Sequence, residues 1–133
     1  MPKTIRQTVT LEAPPHAVFE ALLDSKKHGA FTGDAAKVSR KVGGSFSTFG
    51  GYASGKNLRI EKDKAIVQSW RTTDFQEKEP DSKVTFRISK KGPGTRLTFV
   101  HSGVPERLAA DLAEGWKEFY WGPLKVYLSR SRE

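Results

Sequence analysis

No cysteine occurs in the 133 residues. Disulfides, thiol nucleophiles and cysteine-ligated zinc are thereby excluded together, and a reducing compartment, the cytoplasm, is the expected location. Acidic residues are also few: fifteen Asp and Glu stand against twenty-three Lys and Arg, a formal net charge of +8. Long apolar runs are missing. No stretch approaches the roughly eighteen apolar residues of a spanning helix, so no membrane span is expected. The opening MPKTIRQTVTLEAPP lacks the apolar segment of a secretory signal. The length suits a single domain over residues 1–133, large enough for a real core and too short for a second catalytic domain.

Motifs that carry chemistry are sparse. There is no G-x-S-x-G nucleophile elbow. His16, His28 and His101 are far apart and lack metal-ligand spacing, so neither a metal nor a cofactor is expected. Gly50-Gly51-Tyr52-Ala53-Ser54-Gly55-Lys56 has the spacing of a phosphate-binding loop, but Asn57 stands where the magnesium ligand Ser or Thr belongs. The residues after it alternate like a strand, so a glycine-rich hairpin or bulge is the reading. Glu77, Glu79 and Asp81 form a solvated turn rather than a general acid/base pair. From Asp24 to Ile60 seven basic residues face two acidic ones. They are scattered and lack an aromatic RNP-type motif, so a solvated face is expected rather than a specific nucleic-acid site.

Periodicity supplies the architecture. Ile5, Val9 and Leu11 share one face of a first strand. Pro14-Pro15 break it and suit a helix start, and Val18, Phe19, Leu22 and Leu23 continue at helical spacing. Asp24 to His28 suits a second short helix. Short strands follow at Ala35–Ser39, Ser45–Phe49, Lys56–Glu61, Ala65–Thr73, Lys83–Lys90 and Thr95–His101. Leu58 and Ile60 are expected to point together, as are Ile66 and Trp70; Val84, Phe86 and Ile88 point inward, and Leu97, Phe99 and His101 share a face. From Glu106 to Leu128 a long helix carries an apolar stripe through Leu108, Leu112, Trp116, Phe119, Tyr120, Pro123 and Tyr127. A bend is expected at Pro123. Trp121 falls off the stripe, which makes it either a partly exposed interface anchor or a ring turned onto the sheet by that bend. The sum is an α+β domain with the helix laid across a curved antiparallel sheet.

So many rings in one small core leave two options open, a solid interior or an apolar cavity. The cavity would be lined by Trp70, Phe86, Phe99, His101, Trp116 and Tyr120, with His101 as its one directional polar contact.

Val18-Phe19-Glu20-Ala21-Leu22 after a strand and a proline break resembles the start of SRPBCC (START-like, birch-pollen-allergen-like) domains. GGYASGKNLRIEKDKAIVQSWRTTDF and GVPERLAADLAEGWKEFYWGPLKVYL are similar to the C-terminal domain of the activator of heat-shock protein 90 ATPase and its stand-alone bacterial relatives. The resemblance covers nearly the whole chain and implies a helix-grip fold. In that fold a sheet of six or seven strands surrounds a long C-terminal helix, two short helices follow the first strand, and a hydrophobic cavity often lies between. The activators also carry a separate N-terminal domain that engages the chaperone, so stimulation of that ATPase by this chain alone is not expected. Three functions follow from the resemblance and the aromatic stripe. The first is binding of a small hydrophobic or aromatic molecule. The second is a protein-interaction module, with a chaperone-type partner or a homodimer. The third is a cyclase- or hydrolase-like enzyme, which only His101 supports. Fold alone does not choose among them.

Overall fold

The computed structural model describes residues 2–130. Seven strands form one antiparallel sheet: β1 (Lys3–Leu11), β2 (Lys37–Val38), β3 (Ser45–Thr48), β4 (Ala53–Glu61), β5 (Ala65–Thr72), β6 (Ser82–Lys91) and β7 (Gly94–Val104). Their order across the sheet is β1-β7-β6-β5-β4-β3-β2. Helices α1 (Pro15–Leu23) and α2 (Ser25–Thr32) follow the first strand. Pro15 opens α1 where a missing N–H costs nothing. Asp24 caps α2 by accepting from the Lys27 N–H at 3.0 Å. The helix-grip architecture expected from the sequence is present, and its two early helices close one end of the sheet.

The strands bury alternate residues, as one covered face requires. Val84, Phe86 and Ile88 meet Leu97, Phe99 and His101 on the inner face of β6 and β7. β4 departs from simple alternation. Its register against β5 slips between Asn57 and Arg59, and the extra residue reverses the faces. Asn57 turns inward while Leu58 is half exposed, so the expected pairing of Leu58 with Ile60 fails. Buried Asn57 is fully used. Its amide donates to the Ser39 carbonyl at 2.7 Å and the Lys41 carbonyl at 3.1 Å, and its oxygen accepts from Gln68 at 2.9 Å. The glycine-rich stretch before it is a tight turn, with φ of +65° at Gly50 and +98° at Gly51, conformations that favour glycine. It runs into a strand, not a phosphate-facing helix.

The C-terminal segment is helical from Glu106 to Arg130 in three parts: α3 (Glu106–Gly115), one π-helical segment (Trp116–Trp121) and α4 (Gly122–Arg130). The Gly122 N–H donates to the Lys117 carbonyl, the wider spacing of a π-turn. The π-turn lies immediately before Pro123, where a bend was expected. A proline ring crowds the carbonyl four residues back, and a wider turn immediately before it gives the room. The extra residue shifts the buried stripe by one. Leu124 and Leu128 are buried where Pro123 and Tyr127 were expected. Trp116 and Trp121, five apart, face the core together with ring centroids 5.6 Å apart and planes 19° from parallel. Trp121 is 4% exposed, so it is no surface anchor in this chain. Its indole N–H donates to Gln7 at 2.6 Å.

Candidate ligand-binding cleft

α4 is seated on the core, but α3 contains no fully buried residue. α3 rests on β1, where Gln7 donates to the Ala113 carbonyl at 2.9 Å, but over Trp70 a cleft of about 320 Å³ opens beneath it. The helix side supplies Leu108, Leu112, Gly115, Trp116, Phe119 and Tyr120. The sheet side supplies Phe49, Tyr52, Trp70 and, from the β5–β6 loop, Asp74; Asp111 completes the helix wall. Phe49 holds its ring there from a left-handed backbone, φ +53°, an uncommon conformation for a residue with a Cβ. It lies edge-on to Tyr120, centroids 5.3 Å apart, and to Phe119 at 6.3 Å. Phe119 is 54% exposed and forms the rim.

Below the cleft the rings are packed solid. Trp116 lies 4.3 Å from Phe99, 4.5 Å from Tyr120 and 5.2 Å from Trp70, centroid to centroid. The polar groups in this layer form two closed chains. In the first, an indole N–H can only donate, so Trp116 donates to His101 Nδ1 at 3.1 Å. The proton of neutral His101 then sits on Nε2 and goes to Ser82 Oγ at 2.7 Å, and Ser82 donates to the Trp70 carbonyl at 2.6 Å. In the second, a carbonyl can only accept. His28 Nδ1–H donates to Leu22 at 3.0 Å, so His28 Nε2 accepts from the Tyr120 hydroxyl at 3.1 Å. That oxygen in turn accepts from Thr48 at 3.3 Å. Every hydrogen has one direction, and both chains require neutral imidazole.

Burial gives the same answer. Loss of solvation lowers His101 from 6.5 to about 3. It lowers His28 from 6.5 to about 4, against the Leu22 hydrogen bond, which acts the other way. Tyr120 is pushed well above the ordinary phenol range by burial, with Thr48 opposing. At the mouth, partial burial and then the Asp74 carboxylate raise Tyr52, whose hydroxyl donates to Asp74 at 2.7 Å. Among the described residues no cluster of three His, Asp or Glu could hold a metal ion.

Three of the six residues expected in the cavity, Trp70, Trp116 and Tyr120, do line the cleft. Phe86, Phe99 and His101 lie on the correct face but one layer deeper, 4%, 0% and 0% exposed. The reason is the Trp116 indole, which covers Phe99 and takes the His101 nitrogen for itself. His101 is thus a strut of the core and offers nothing to a ligand. Sequence reasoning did not place Asp74 or Asp111 at the site. A glycine in mid-helix followed by an aromatic four residues on, Gly115 and Phe119, was the available signal for a wall with a gap in it.

A family model described as activator of Hsp90 ATPase homolog 1-like protein matches residues 12–129. Over 116 residues, 86% of the chain, the sequence is 30% identical to an activator of 90 kDa heat shock protein ATPase homolog from Dictyostelium discoideum, covering 30% of that protein. The chain spans about a third of the length of the curated relatives it matches. Among solved structures, an HSP90 activator from Plasmodium falciparum has a TM-score of 0.88 at 28% identity, over 95% of this chain and 96% of that one. CalU16 from Micromonospora echinospora has a TM-score of 0.78 at 25% identity, over 99% of this chain and 87% of that one.

Proposed function

This chain belongs to the activator of Hsp90 ATPase homolog 1-like family, and within that family we propose that it binds a small hydrophobic or aromatic molecule in the cleft between β5 and α3. The observation that carries this reading is the contrast between a solid aromatic layer and an open, aromatic-walled gap of about 320 Å³ directly above it. Ligand sites are concave and mostly apolar with a few polar groups, and they begin near ~300 Å³. The gap equals about ten water molecules at ~30 Å³ each, water that gains by leaving an apolar wall. Binding should be read with a neutral apolar dye such as Nile red, and by native mass spectrometry of the purified protein. The expected results are saturable dye fluorescence and its loss in Gly115→Trp, whose indole fills the gap. A folded wild type that binds no apolar or aromatic probe, neutral or charged, refutes the reading.

A second reading, docking of a protein partner of the chaperone type or of a second copy of this chain, is favoured by the exposed Phe119 ring and by the activator relatives. Trp121 contributes nothing to it, being internal. The rate of chaperone ATP hydrolysis with and without this chain, and the sedimentation of Phe119→Ser against wild type, test the two parts of that reading.

A further inference from the structure

Resting on the cleft-binding reading, we propose that the cleft selects an organic cation: an ammonium or protonated amine carried on an apolar or aromatic body. Among the described residues, the charged side chains that line the cleft are Asp74 and Asp111, with no Lys, Arg or His, in a chain whose net charge is +8. The two carboxylates come from opposite walls, Asp74 from the loop after β5 and Asp111 from α3.

They are also unneutralised. Glu20, Glu61, Asp63, Glu79, Asp81 and Glu106 each lie within 4.0 Å of a basic side chain. The Asp111 carboxylate has no ion pair and no side-chain hydrogen bond among the described residues. The Asp74 carboxylate has the neutral Tyr52 hydroxyl on Oδ2 at 2.7 Å, which leaves its charge intact and orients it. The neighbouring guanidinium of Arg107 is committed to Glu79 and to the main-chain carbonyl of Asp74. The rings of Trp70, Trp116, Phe49 and Phe119 line the same cleft. Aromatic faces carry negative charge density and attract a desolvated cation. Both aspartates are exposed at the mouth of the cleft, so their attraction is that of surface charges and is screened by salt. A neutral ligand would gain from the walls alone, and an anion would be repelled twice.

The test uses three naphthylmethyl probes, followed by quenching of tryptophan fluorescence at low salt: (2-naphthylmethyl)trimethylammonium, its neutral isostere 2-neopentylnaphthalene, and the anion 2-naphthylacetate. The cation should bind roughly ten-fold more tightly than the isostere, and the anion most weakly. Asp111→Asn and Asp74→Asn should each remove several-fold of the cation's affinity, leave the isostere unchanged, and melt like wild type. High salt should shrink the preference. Equal affinity for cation and isostere, or indifference to both substitutions, overturns the charge selectivity and leaves apolar binding standing. Failure of all three probes overturns both.

Discussion

Acidification from pH 7 to 5 should destabilise the fold steeply, well before its carboxylates titrate. His28 and His101 titrate at about 4 and about 3 in the folded chain and at 6.5 when unfolded. Above 6.5 both states hold neutral imidazole and nothing is lost. As pH falls below 6.5 the unfolded chain takes up two protons that the folded chain refuses. Stability then drops by about 1.4 kcal/mol per pH unit for each histidine. The loss ends near pH 4 for His28 and near pH 3 for His101, where the folded state also protonates. At pH 5 the two together amount to about 4 kcal/mol, a large fraction of a domain stability of ~5–15 kcal/mol. Among the described residues no charged side chain acts on either ring: His101 is packed against Trp70, Phe99 and Trp116, and His28 against Phe31 and Tyr120. Urea unfolding at half-unit pH intervals measures the effect. With a slope of ~2 kcal/mol/M the midpoint should fall by about 2 M between pH 7 and 5. His28→Gln should halve the pH slope whatever it does to the absolute stability. Glu20, held low by Arg40, loses its contribution only as pH falls below about 4.5, so its effect is separable. A midpoint independent of pH between 7 and 5 would refute the neutral, fully buried imidazoles on which the two hydrogen-bond chains depend.

Other outcomes are expected from single positions. Trp116→Phe leaves His101 Nδ1 without a donor in a buried site and should cost about 1–3 kcal/mol from that loss alone, read by chemical denaturation, with Trp116→Ala costing about 3–5 kcal/mol. Gly115 has helical backbone angles, φ −60° and ψ −39°, and an added Cβ would meet only Phe119 at 3.8 Å. Gly115→Ala should therefore stabilise the helix by up to about 1 kcal/mol while weakening dye binding several-fold; a raised melting temperature with unchanged affinity would contradict the position assigned to the cleft. Deleting exposed Glu118 removes the extra residue of the π-turn. It leaves the buried rings and leucines at α-helical spacing, so the variant should fold with little loss, and an amide-exchange pattern still showing a π-turn would count against the packing argument.

Much of the fold was legible because one-sided sheets and stripes announce themselves through alternation. The strands around Phe86 and Phe99 and the helix that covers them could be placed from sequence alone. Legibility failed wherever one residue was added to a regular repeat. The slip beside Asn57 exchanged the faces of β4, and the π-turn moved Trp121, Leu124 and Leu128 inward. A repeat read at constant period has no way to register an insertion whose only cause is three-dimensional packing. Depth was equally invisible. Phe99 and Trp116 share a facing direction, but only the structure says which ring lies under the other. Asp74 and Asp111 are separated by thirty-six intervening residues and reach one cleft by way of β6, β7 and α3.

The π-turn works as a vernier between two scales. Downstream, the angular setting of α4 is dictated by Leu124 and Leu128 in a core that tolerates little change. Upstream, Leu108, Asp111 and Leu112 line the cleft, and no residue of α3 is fully buried. Because one surplus residue absorbs the mismatch between them, the two halves of the helix can drift independently in sequence. Substitutions on α3 and α4 should add in their effects on stability. Residues that wall the cleft can therefore change in this chain without resetting the helix that anchors it.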